Sequence, residues 1–308
     1  MKASGLMEGK VVVVTGAGGG IGKEVALAMA REGAKVVVND LDVSLSGEAG
    51  GGTPAGAVVE EIRAQGGQAV ADGHSVAEWN SAAAIIEKAV ATFGRIDAVV
   101  NSAGILRDSI FHKMSAEDFE LVLRVHLFGS FNMSRAAAAH FREQGSGALV
   151  HMTSTAGLIG SIGQANYAAA KMGIVGLSRS ISLDMARYGV RSNCIAPHAF
   201  SRMIESVPGL SPEEQERNLA KRRAMTRADQ IAPLAVYLCS EAAKEVSGQI
   251  LGARGNEIYL YGQPRPVRTL HRADGWTPER LAQTLTPAFR SSFTPPERTR
   301  DVFGWEAI

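Results

Sequence analysis

The chain of 308 residues is 45% hydrophobic and 20% charged, and its 32 lysines and arginines almost balance 31 aspartates and glutamates, for a formal charge of +1. This balance excludes the strongly basic field with which many proteins attract nucleic acid, so no nucleic-acid partner is expected. No apolar run approaches the roughly 20 residues of a membrane span, and the two cysteines and seven histidines show no metal-ligand spacing, so neither a membrane nor a metal is expected.

Apolar runs typical of buried strands alternate with helical patterns over residues 6–262. Such alternation is typical of a parallel sheet covered on both faces by right-handed crossovers. The sequence therefore predicts an α/β fold: a single doubly wound Rossmann-type domain with a seven-stranded parallel sheet, followed by an extension at 263–308. Strands are predicted near residues 10–15, 35–39, 68–71, 96–101, 148–153, 191–196 and 257–260. Helices are predicted near residues 21–32, 54–65, 78–93, 115–143, 164–187 and 228–241.

The first predicted strand runs into a glycine-rich turn that contains Gly16, Gly20, Ile21 and Gly22. A strand, a glycine turn and a helix N-terminus together form an anion site, because backbone N–H groups can approach a pyrophosphate and the helix dipole favours negative charge. A mononucleotide P-loop is disfavoured, because the motif G-x-x-x-x-G-K-[ST] is not matched. A glycine turn without any ligand remains the alternative.

The second predicted strand ends at Asp40, about 20 residues beyond the glycine turn. A carboxylate in this place can accept hydrogen bonds from both hydroxyls of an adenosine ribose, and it would repel the 2′-phosphate of NADP. Leu41 and Asp42 follow, with no Arg or Lys just after Asp40. The sequence therefore favours NAD as the cofactor.

Three residues downstream indicate acid–base chemistry. Ser154 follows a predicted strand, and Tyr167 and Lys171 lie one helical turn apart. A phenol has a pKa of about 10, and a fixed ammonium beside it would lower that pKa and make the phenolate usable as a base. Taken alone, a Tyr and a Lys at this spacing can also be an ordinary packed ring and a solvated ammonium. No G-x-S-x-G elbow surrounds Ser154, which disfavours a hydrolase.

Together these motifs resemble the short-chain dehydrogenase/reductase family, over about residues 6–260. Within that family the chain looks most similar to (3R)-hydroxyacyl-CoA dehydrogenases of the peroxisomal multifunctional type, also described as 17β-hydroxysteroid dehydrogenases. The family motifs are Thr15-Gly16-x-x-x-Gly20-Ile21-Gly22, Asn101-Ser102-Ala103-Gly104, Ser154, Tyr167-x-x-x-Lys171 and Asn193-x-x-x-Pro197. The narrower likeness rests on residues 38–41, the glycine-rich insert 46–56, and residues 104–108, 125–131, 163–167 and 201–203.

The resemblance implies the roles of individual residues. Tyr167 would exchange the alcohol proton, Lys171 would lower its pKa and bind the nicotinamide ribose, and Ser154 would hold the reacting oxygen. Further cofactor contacts are implied for Leu41, Ser75, Val76, Asn101, Ala103, Gly104 and Pro197. His126 stands where the family usually has a catalytic Asn; it could serve the proton relay with a pKa near neutral, or be a buried histidine satisfied by the backbone.

The resemblance also implies the reaction and the assembly. We expect an NAD-dependent enzyme that acts on a 3-hydroxyacyl-CoA; a 17β-hydroxysteroid dehydrogenase and a non-catalytic NAD-binding or scaffold protein are the alternatives. A homotetramer or homodimer is expected, joined through the helices at 115–143 and 164–187. The last three residues are not a Ser-Lys-Leu-type peroxisomal address, so the cytoplasm is expected.

Two segments allow more than one interpretation. A basic cluster is either a solvated helix face or a site for the phosphates of coenzyme A. Its members are Arg217, Lys221, Arg222, Arg223 and Arg227. The extension at 263–308 carries several aromatic rings that need burial, and we expect it to pack on its own or a neighbouring subunit.

Overall fold

The computed structural model describes residues 5–41, 54–199 and 226–308. Several predicted features lie outside these residues: Asp42, most of the glycine-rich insert, residues 201–203, and Arg217, Lys221, Arg222 and Arg223 of the basic cluster. Within the described residues the strands are β1 (Val11–Thr15), β2 (Lys35–Asn39), β3 (Gln68–Asp72), β4 (Ala98–Asn101), β5 (Gly147–Met152), β6 (Val190–His198), β7 (Ile250–Arg254) and β8 (Glu257–Leu260). The helices are α1 (Gly20–Arg31), α2 (Pro54–Ala64), α3 (Trp79–Phe93), α4 (Ala116–Leu123), α5 (Gly129–Gln144), α6 (Thr155–Leu158), α7 (Ala165–Asp184), α8 (Ala232–Cys239), α9 (Pro278–Phe289) and α10 (Thr299–Val302).

The strands form one sheet in the order β3-β2-β1-β4-β5-β6-β7-β8. Strands β1 to β7 pair in parallel, and β8 pairs antiparallel with β7. The predicted doubly wound α/β fold with seven parallel strands is confirmed, but the segment predicted as the seventh of them is not that strand. The segment at 257–260 is an eighth, antiparallel strand, and the seventh parallel strand was missed because its sequence, Ile-Leu-Gly-Ala-Arg, has little strand propensity at its last three positions.

Both faces of the sheet are covered, which explains why β1 reads as an unbroken run of valines. Val12 and Val14 pack with α1, α2 and α8 on one face. Val11 and Val13 pack with α3 and α5 on the other. Burial of each such side chain stabilises the fold by roughly 1.5–3 kcal/mol. The strand order reverses between β1 and β4, so the turns after these two strands meet at the carboxyl edge of the sheet, where α/β proteins bind ligands.

The helix predicted at 115–143 is divided by a wider turn. Ser115 caps α4 by accepting a hydrogen bond from the Asp118 N–H at 3.0 Å, as its position before two acidic residues indicates. A π-helical turn at Arg124–Phe128 then precedes α5. Such turns are rare in proteins, and those that occur are often found at functional sites. This one carries His126.

The extension at 263–308 lies against the same chain at the carboxyl edge of the sheet. The Thr299 N–H donates to the Gly160 carbonyl at 3.2 Å, and the Asn256 N–H donates to the Ile308 carbonyl at 2.6 Å. The ring of Phe303 packs edge-on against His198, with 4.5 Å between ring centroids. The extension therefore covers the end of β6 and the loop that precedes α7.

A line of buried polar side chains crosses the middle of the sheet. Asn101 Nδ2 lies 3.1 Å from His151 Nδ1, and His151 Nε2 lies 3.2 Å from Ser192 Oγ. Ser192 Oγ is 2.8 Å from Ser178 Oγ on α7. Hydrogen bonding removes most of the cost of burying these groups. The line ties α7 to strands β4, β5 and β6.

His151 predicts how stability depends on pH. Burial first, and then the charge of Lys171, lowers the pKa of His151 from its ordinary 6.5 to about 4. Because the folded pKa lies below the unfolded one, the stabilisation is fully present above pH 6.5 and is lost as the pH falls towards 4, by about 3 kcal/mol. We expect chemical denaturation to show a smaller loss of unfolding free energy over this range in His151→Gln than in the parent.

The matched control is His271→Gln, which removes an exposed imidazole. It should keep the acid sensitivity of the parent. Equal losses in the parent and in His151→Gln would contradict a His151 that is held neutral by burial.

Candidate active site

The glycine turn after β1 closely approaches the loop after β4. Gly16 has a φ of +63°, and a Cβ on it would lie 2.7 Å from the Ala103 Cα. A Cβ on Gly22 would lie 2.1 Å from the Gly16 carbonyl oxygen. Thr15 Oγ1 joins the two segments by accepting from the N–H groups of Ser102 and Ala103, both at 3.1 Å. These positions therefore need glycine for the turn to fold over the N-terminus of α1.

Asp40 lies at the edge of the same turn. Its Oδ2 accepts a hydrogen bond from the Gly18 N–H at 2.7 Å, and its own N–H donates to the Asp72 carbonyl at 3.0 Å. Leu41 is partly exposed beside it. The structure thus brings a carboxylate next to Gly18, in the turn that leads through Gly20 and Ile21 into α1. The sequence predicted such an arrangement for binding the ribose and pyrophosphate of a dinucleotide.

The end of β3 contains a carboxylate that the sequence analysis missed. Asp72 is buried and accepts from Asn39 Nδ2 at 2.9 Å and from the His74 N–H at 2.9 Å. Ser75 Oγ accepts from the Ala77 N–H at 3.2 Å, so its hydroxyl stabilises the turn. Val76 is buried. Asp72 fixes the shape of this turn, which borders Asp40. The sequence signal that could have identified it is an Asp at the end of one strand together with an Asn at the end of the neighbouring strand.

The structure brings Ser154, Tyr167 and Lys171 together at the carboxyl edge. Ser154 caps the short helix α6, and its Oγ accepts from the Ala156 N–H at 3.2 Å. The Ser154 hydroxyl lies close enough to the Tyr167 phenol to lower its pKa. Lys171 Nζ lies 5.5 Å from the centre of the Tyr167 ring. A hydroxyl, a phenol and an amine are thus placed for proton transfer at one point.

The ionisation of this group differs from the expectation. Burial raises the pKa of Tyr167; the hydrogen bond with Ser154 lowers it and the charge of Asp108 raises it further. Burial also lowers the pKa of Lys171 to about 7, while Cys194 has a smaller opposite effect. Lys171 Nζ donates to the Met152 carbonyl at 2.6 Å. The Lys171 side chain is thus held by the backbone. The predicted lowering of the Tyr167 pKa by Lys171 is smaller than the rise that burial causes.

His126 lies beside Tyr167, with 5.2 Å between the ring centroids and the rings edge to face. His126 Nε2 lies 2.8 Å from the Ile105 carbonyl oxygen and 3.1 Å from the Ile105 nitrogen. A Cβ on Gly104 would lie 2.2 Å from His126 Cε1, so glycine is needed there to admit the imidazole. Burial, and then the charge of Lys171, holds the pKa of His126 well below 6.5. The expectation of a titration near neutral pH is therefore wrong: the imidazole is neutral at pH 7.

Two further predicted cofactor residues have contacts inside the fold. The Asn101 amide contacts His151 and lies 3.4 Å from Ser134 Oγ, so its side chain supports the sheet beneath the loop of Ala103 and Gly104. Pro197 lies near the end of β6, in register with Ala253 of β7. His198, which follows it, is covered by the extension, and burial lowers its pKa to about 4.

Residues 10–206 match the sequence profile of the family described as short chain dehydrogenase. The chain belongs to the short-chain dehydrogenase family. It is an oxidoreductase of a family that binds a nicotinamide cofactor. In the part of the chain that the structure describes, no cluster of three or more His, Cys, Asp or Glu residues could hold a metal ion, and no helix is long and apolar enough to cross a membrane.

This short-chain dehydrogenase has close relatives. It is 44% identical over 301 residues to the peroxisomal multifunctional enzyme type 2 of Mus musculus, covering 98% of this chain and 37% of the mouse protein. The chain thus spans well under half of that enzyme. It is 38% identical over 297 residues to a hydroxyacyl-CoA dehydrogenase of Mycobacterium tuberculosis, covering 92% and 89% of the two chains. The predicted resemblance to this group is confirmed.

A solved structure extends the comparison. A 7α-hydroxysteroid dehydrogenase complexed with NADH and 7-oxoglycochenodeoxycholic acid superposes with a TM-score of 0.72 at 33% identity. The match covers 83% of this chain and 97% of that one. The shared fold thus carries both acyl-CoA and steroid dehydrogenases.

Proposed function

We propose that the protein interconverts the secondary alcohol of a 3-hydroxyacyl-CoA and the corresponding ketone, with NAD as cofactor. The observation that carries this proposal is the cluster of Ser154, Tyr167 and Lys171 at the carboxyl edge of the sheet, next to the glycine turn. The intact cluster argues against a purely non-catalytic NAD-binding or scaffold role.

The residues present fit the cofactor. Gly16, Gly20, Ile21 and Gly22 would hold the pyrophosphate at the N-terminus of α1, because the glycines carry no side chains and the space beside Gly20 is open. Asp40 would accept from the adenosine ribose, the turn of Ser75 and Val76 would border the adenine, and Ala103, Gly104 and Pro197 would border the nicotinamide. When bound, the nicotinamide ring supplies the hydride acceptor and donor.

The side chains of the cluster divide the proton transfer among them. Ser154 holds the substrate oxygen by a hydrogen bond. Tyr167 takes the proton of an alcohol or returns one to a ketone, as a general base or acid. Lys171, with its pKa near 7, would bind the nicotinamide ribose and bring positive charge towards the phenol. Neutral His126 holds the Ile105 backbone and packs against the tyrosine ring, which keeps both in place.

The substrate assignment rests on the surroundings of Tyr167 and on one relative. Three large apolar side chains, Ile110, Phe111 and Ile162, extend from the two loops in front of Tyr167, and Phe111 and Ile162 are 76% and 68% exposed. Exposed apolar patches commonly mark ligand-binding grooves. The similarity to a hydroxyacyl-CoA dehydrogenase over 92% of the chain favours an acyl-CoA. The hydroxysteroid dehydrogenase structure makes a 17β-hydroxysteroid the second candidate.

We also propose a homodimer or homotetramer in a reducing compartment, the cytoplasm. Helices α5 and α7 border a cavity of about 250 Å³ lined by apolar residues such as Phe131 and Ile181, and Leu183 on α7 is 75% exposed. A second copy would cover this surface. Cys194 and Cys239 are buried free thiols, which suits the cytoplasm; cell fractionation tests that placement.

The assembly is tested by light scattering. The parent should have a mass of two or four chains, and Leu183→Asp should reduce that mass. A monomeric parent would contradict the assembly.

The function is tested by Tyr167→Phe. We expect NADH absorbance to show turnover of 3-hydroxyacyl-CoA thioesters by the parent, faster than of 17β-hydroxysteroids. Tyr167→Phe keeps the ring but removes the proton donor and acceptor, so turnover should fall by about 10² or more while NAD still binds. Tyr188→Phe is the control and should keep full activity. Faster steroid turnover would favour the second candidate, and NAD binding without any turnover would favour a non-catalytic role.

The cofactor preference is tested at Asp40. Asp40→Asn keeps an oxygen for the Gly18 N–H but removes the charge. We expect it to weaken NAD use by about tenfold and to raise NADP use, because repulsion of the 2′-phosphate is lost. Steady-state kinetics with both cofactors measure the change. A parent enzyme that uses NADP as efficiently as NAD would contradict this role of Asp40.

A further inference from the structure

Two loops in front of Tyr167 are fastened to each other. Residues 105–113 form one loop, and residues 159–164 form the other, just before α7. Gln164 Nε2 donates to Asp108 Oδ2 at 2.9 Å, and the Ser109 N–H donates to the Gly163 carbonyl at 2.9 Å. Gly163 has a φ of +79°, a conformation that favours glycine. The contact therefore depends on particular residues in both loops.

A buried amide connects this contact to the catalytic tyrosine. Asn166 is fully buried, and its Nδ2 donates to the Arg107 carbonyl at 2.9 Å. Its Oδ1 accepts from the Tyr167 N–H at 2.7 Å. The backbone of Arg107 and Asp108 is thus joined, through one side chain, to the first turn of α7.

The charged and titratable groups around Tyr167 come from four elements. Lys171 lies on α7, and neutral His126 lies on the π-helical turn. From the 105–113 loop come Arg107, which pairs with Asp118 of α4 at 3.4 Å, and Asp108. Since Arg107 already has a carboxylate partner, the charge of Asp108 remains to act on the phenol, and it does so in the direction that disfavours the phenolate.

Asp108 is exposed by its accessible surface, although protein atoms lie close enough to its carboxyl to shift its pKa. Burial raises the pKa of its carboxyl, and the hydrogen bond from Gln164 opposes that rise. Asp108 belongs to residues 104–108 of the family likeness, and no role was predicted for it from the sequence. Its carboxylate, on the loop that is hydrogen-bonded to the segment before α7, is a negative group whose charge acts on the Tyr167 phenol.

We propose that Asp108 is a positioning residue for Tyr167: held by Gln164, it fastens the 105–113 loop in front of α7 and brings a negative charge into the surroundings of the phenol. A negative charge in these surroundings favours the protonated phenol, which is the form that gives a proton to a ketone oxygen. This inference rests on the proposed function for its catalytic meaning, whereas the fastening and the charge effect can be measured without a substrate.

Three variants separate charge from fastening. Asp108→Asn removes the charge but keeps an oxygen that can accept from Gln164. Gln164→Leu removes the hydrogen bond but keeps the charge. Glu117→Gln is the control, because it neutralises an exposed carboxylate in the first turn of α4 that takes no part in the contact.

The pH dependence of kcat/KM is the first measurement. Without the negative charge the phenol ionises at lower pH, so Asp108→Asn should be about threefold faster than the parent on the acidic limb of alcohol oxidation. On the alkaline limb of ketone reduction it should be slower by a similar factor. Glu117→Gln should follow the parent on both limbs, and superimposable profiles for Asp108→Asn and the parent would overturn the charge effect.

Two measurements need no substrate. The phenolate absorbance of each protein, less that of its Tyr167→Phe counterpart, reports the ionisation of Tyr167; it should appear at lower pH in Asp108→Asn. Amide hydrogen exchange of Ser109 reports the fastening; it should quicken in Gln164→Leu but not in Asp108→Asn. An unmoved titration or an unchanged exchange overturns the corresponding half of the proposal. A parent that turns over no alcohol, with both substrate-free results as expected, would overturn the proposed function instead.

Discussion

A buried amine controls the electrostatics of the candidate site. Lys171 is almost entirely removed from solvent, and an isolated charge in such a place costs several kcal/mol. The fold reduces this cost in two ways: the Met152 carbonyl accepts from Nζ, and the pKa falls to about 7, so that amine and ammonium coexist near neutral pH. Burial has the largest effect in lowering the pKa of His126 and of His151, and the same charge lowers both further. Both imidazoles therefore remain neutral hydrogen-bonding groups that hold the surrounding backbone.

The site also depends on how closely segments from distant parts of the chain approach one another. Gly16 meets Ala103, and Gly104 admits His126, at distances where any Cβ would collide. These contacts place the glycine turn, the loop after β4 and the π-helical turn in a single layer above the sheet. Helix α7, which carries Tyr167 and Lys171, is held at the sheet by the buried line through His151 and at its first turn by Asn166. Precise positioning of reacting groups requires this kind of support on both sides.

Much of the fold and of the site could be predicted from the sequence because the signals are local. The valine runs identify strands that are buried on both faces. The spacing from Gly16 to Asp40 predicts a dinucleotide-binding edge, and Tyr167 and Lys171 are one helical turn apart. These patterns can be recognised in the sequence without knowing how the segments are arranged in the fold.

What could not be predicted depends on contacts between distant residues. The sequence suggested that Lys171 would lower the pKa of Tyr167, but burial, which is a property of the assembled fold, has the larger effect. The alignment of Asn101, His151 and Cys194 across three strands follows from the register of the sheet. The task of Asp108 arises only when two loops meet. Strand β7 was missed for a simpler reason, because Gly252 and Ala253 have weak strand propensity.

The π-helical turn at Arg124–Phe128 has a consequence for how this region tolerates changes in length. A π-helical turn holds one more residue than the corresponding α-helical turn, and each residue of a helix rotates the chain by about 100°. Loss of one residue between Leu123 and Gly129 would restore a regular helix and turn His126 away from Ile105 and Tyr167. The sequence would still contain Ser154, Tyr167 and Lys171. Single-residue deletions that an exposed loop would absorb would here change the geometry of the site itself.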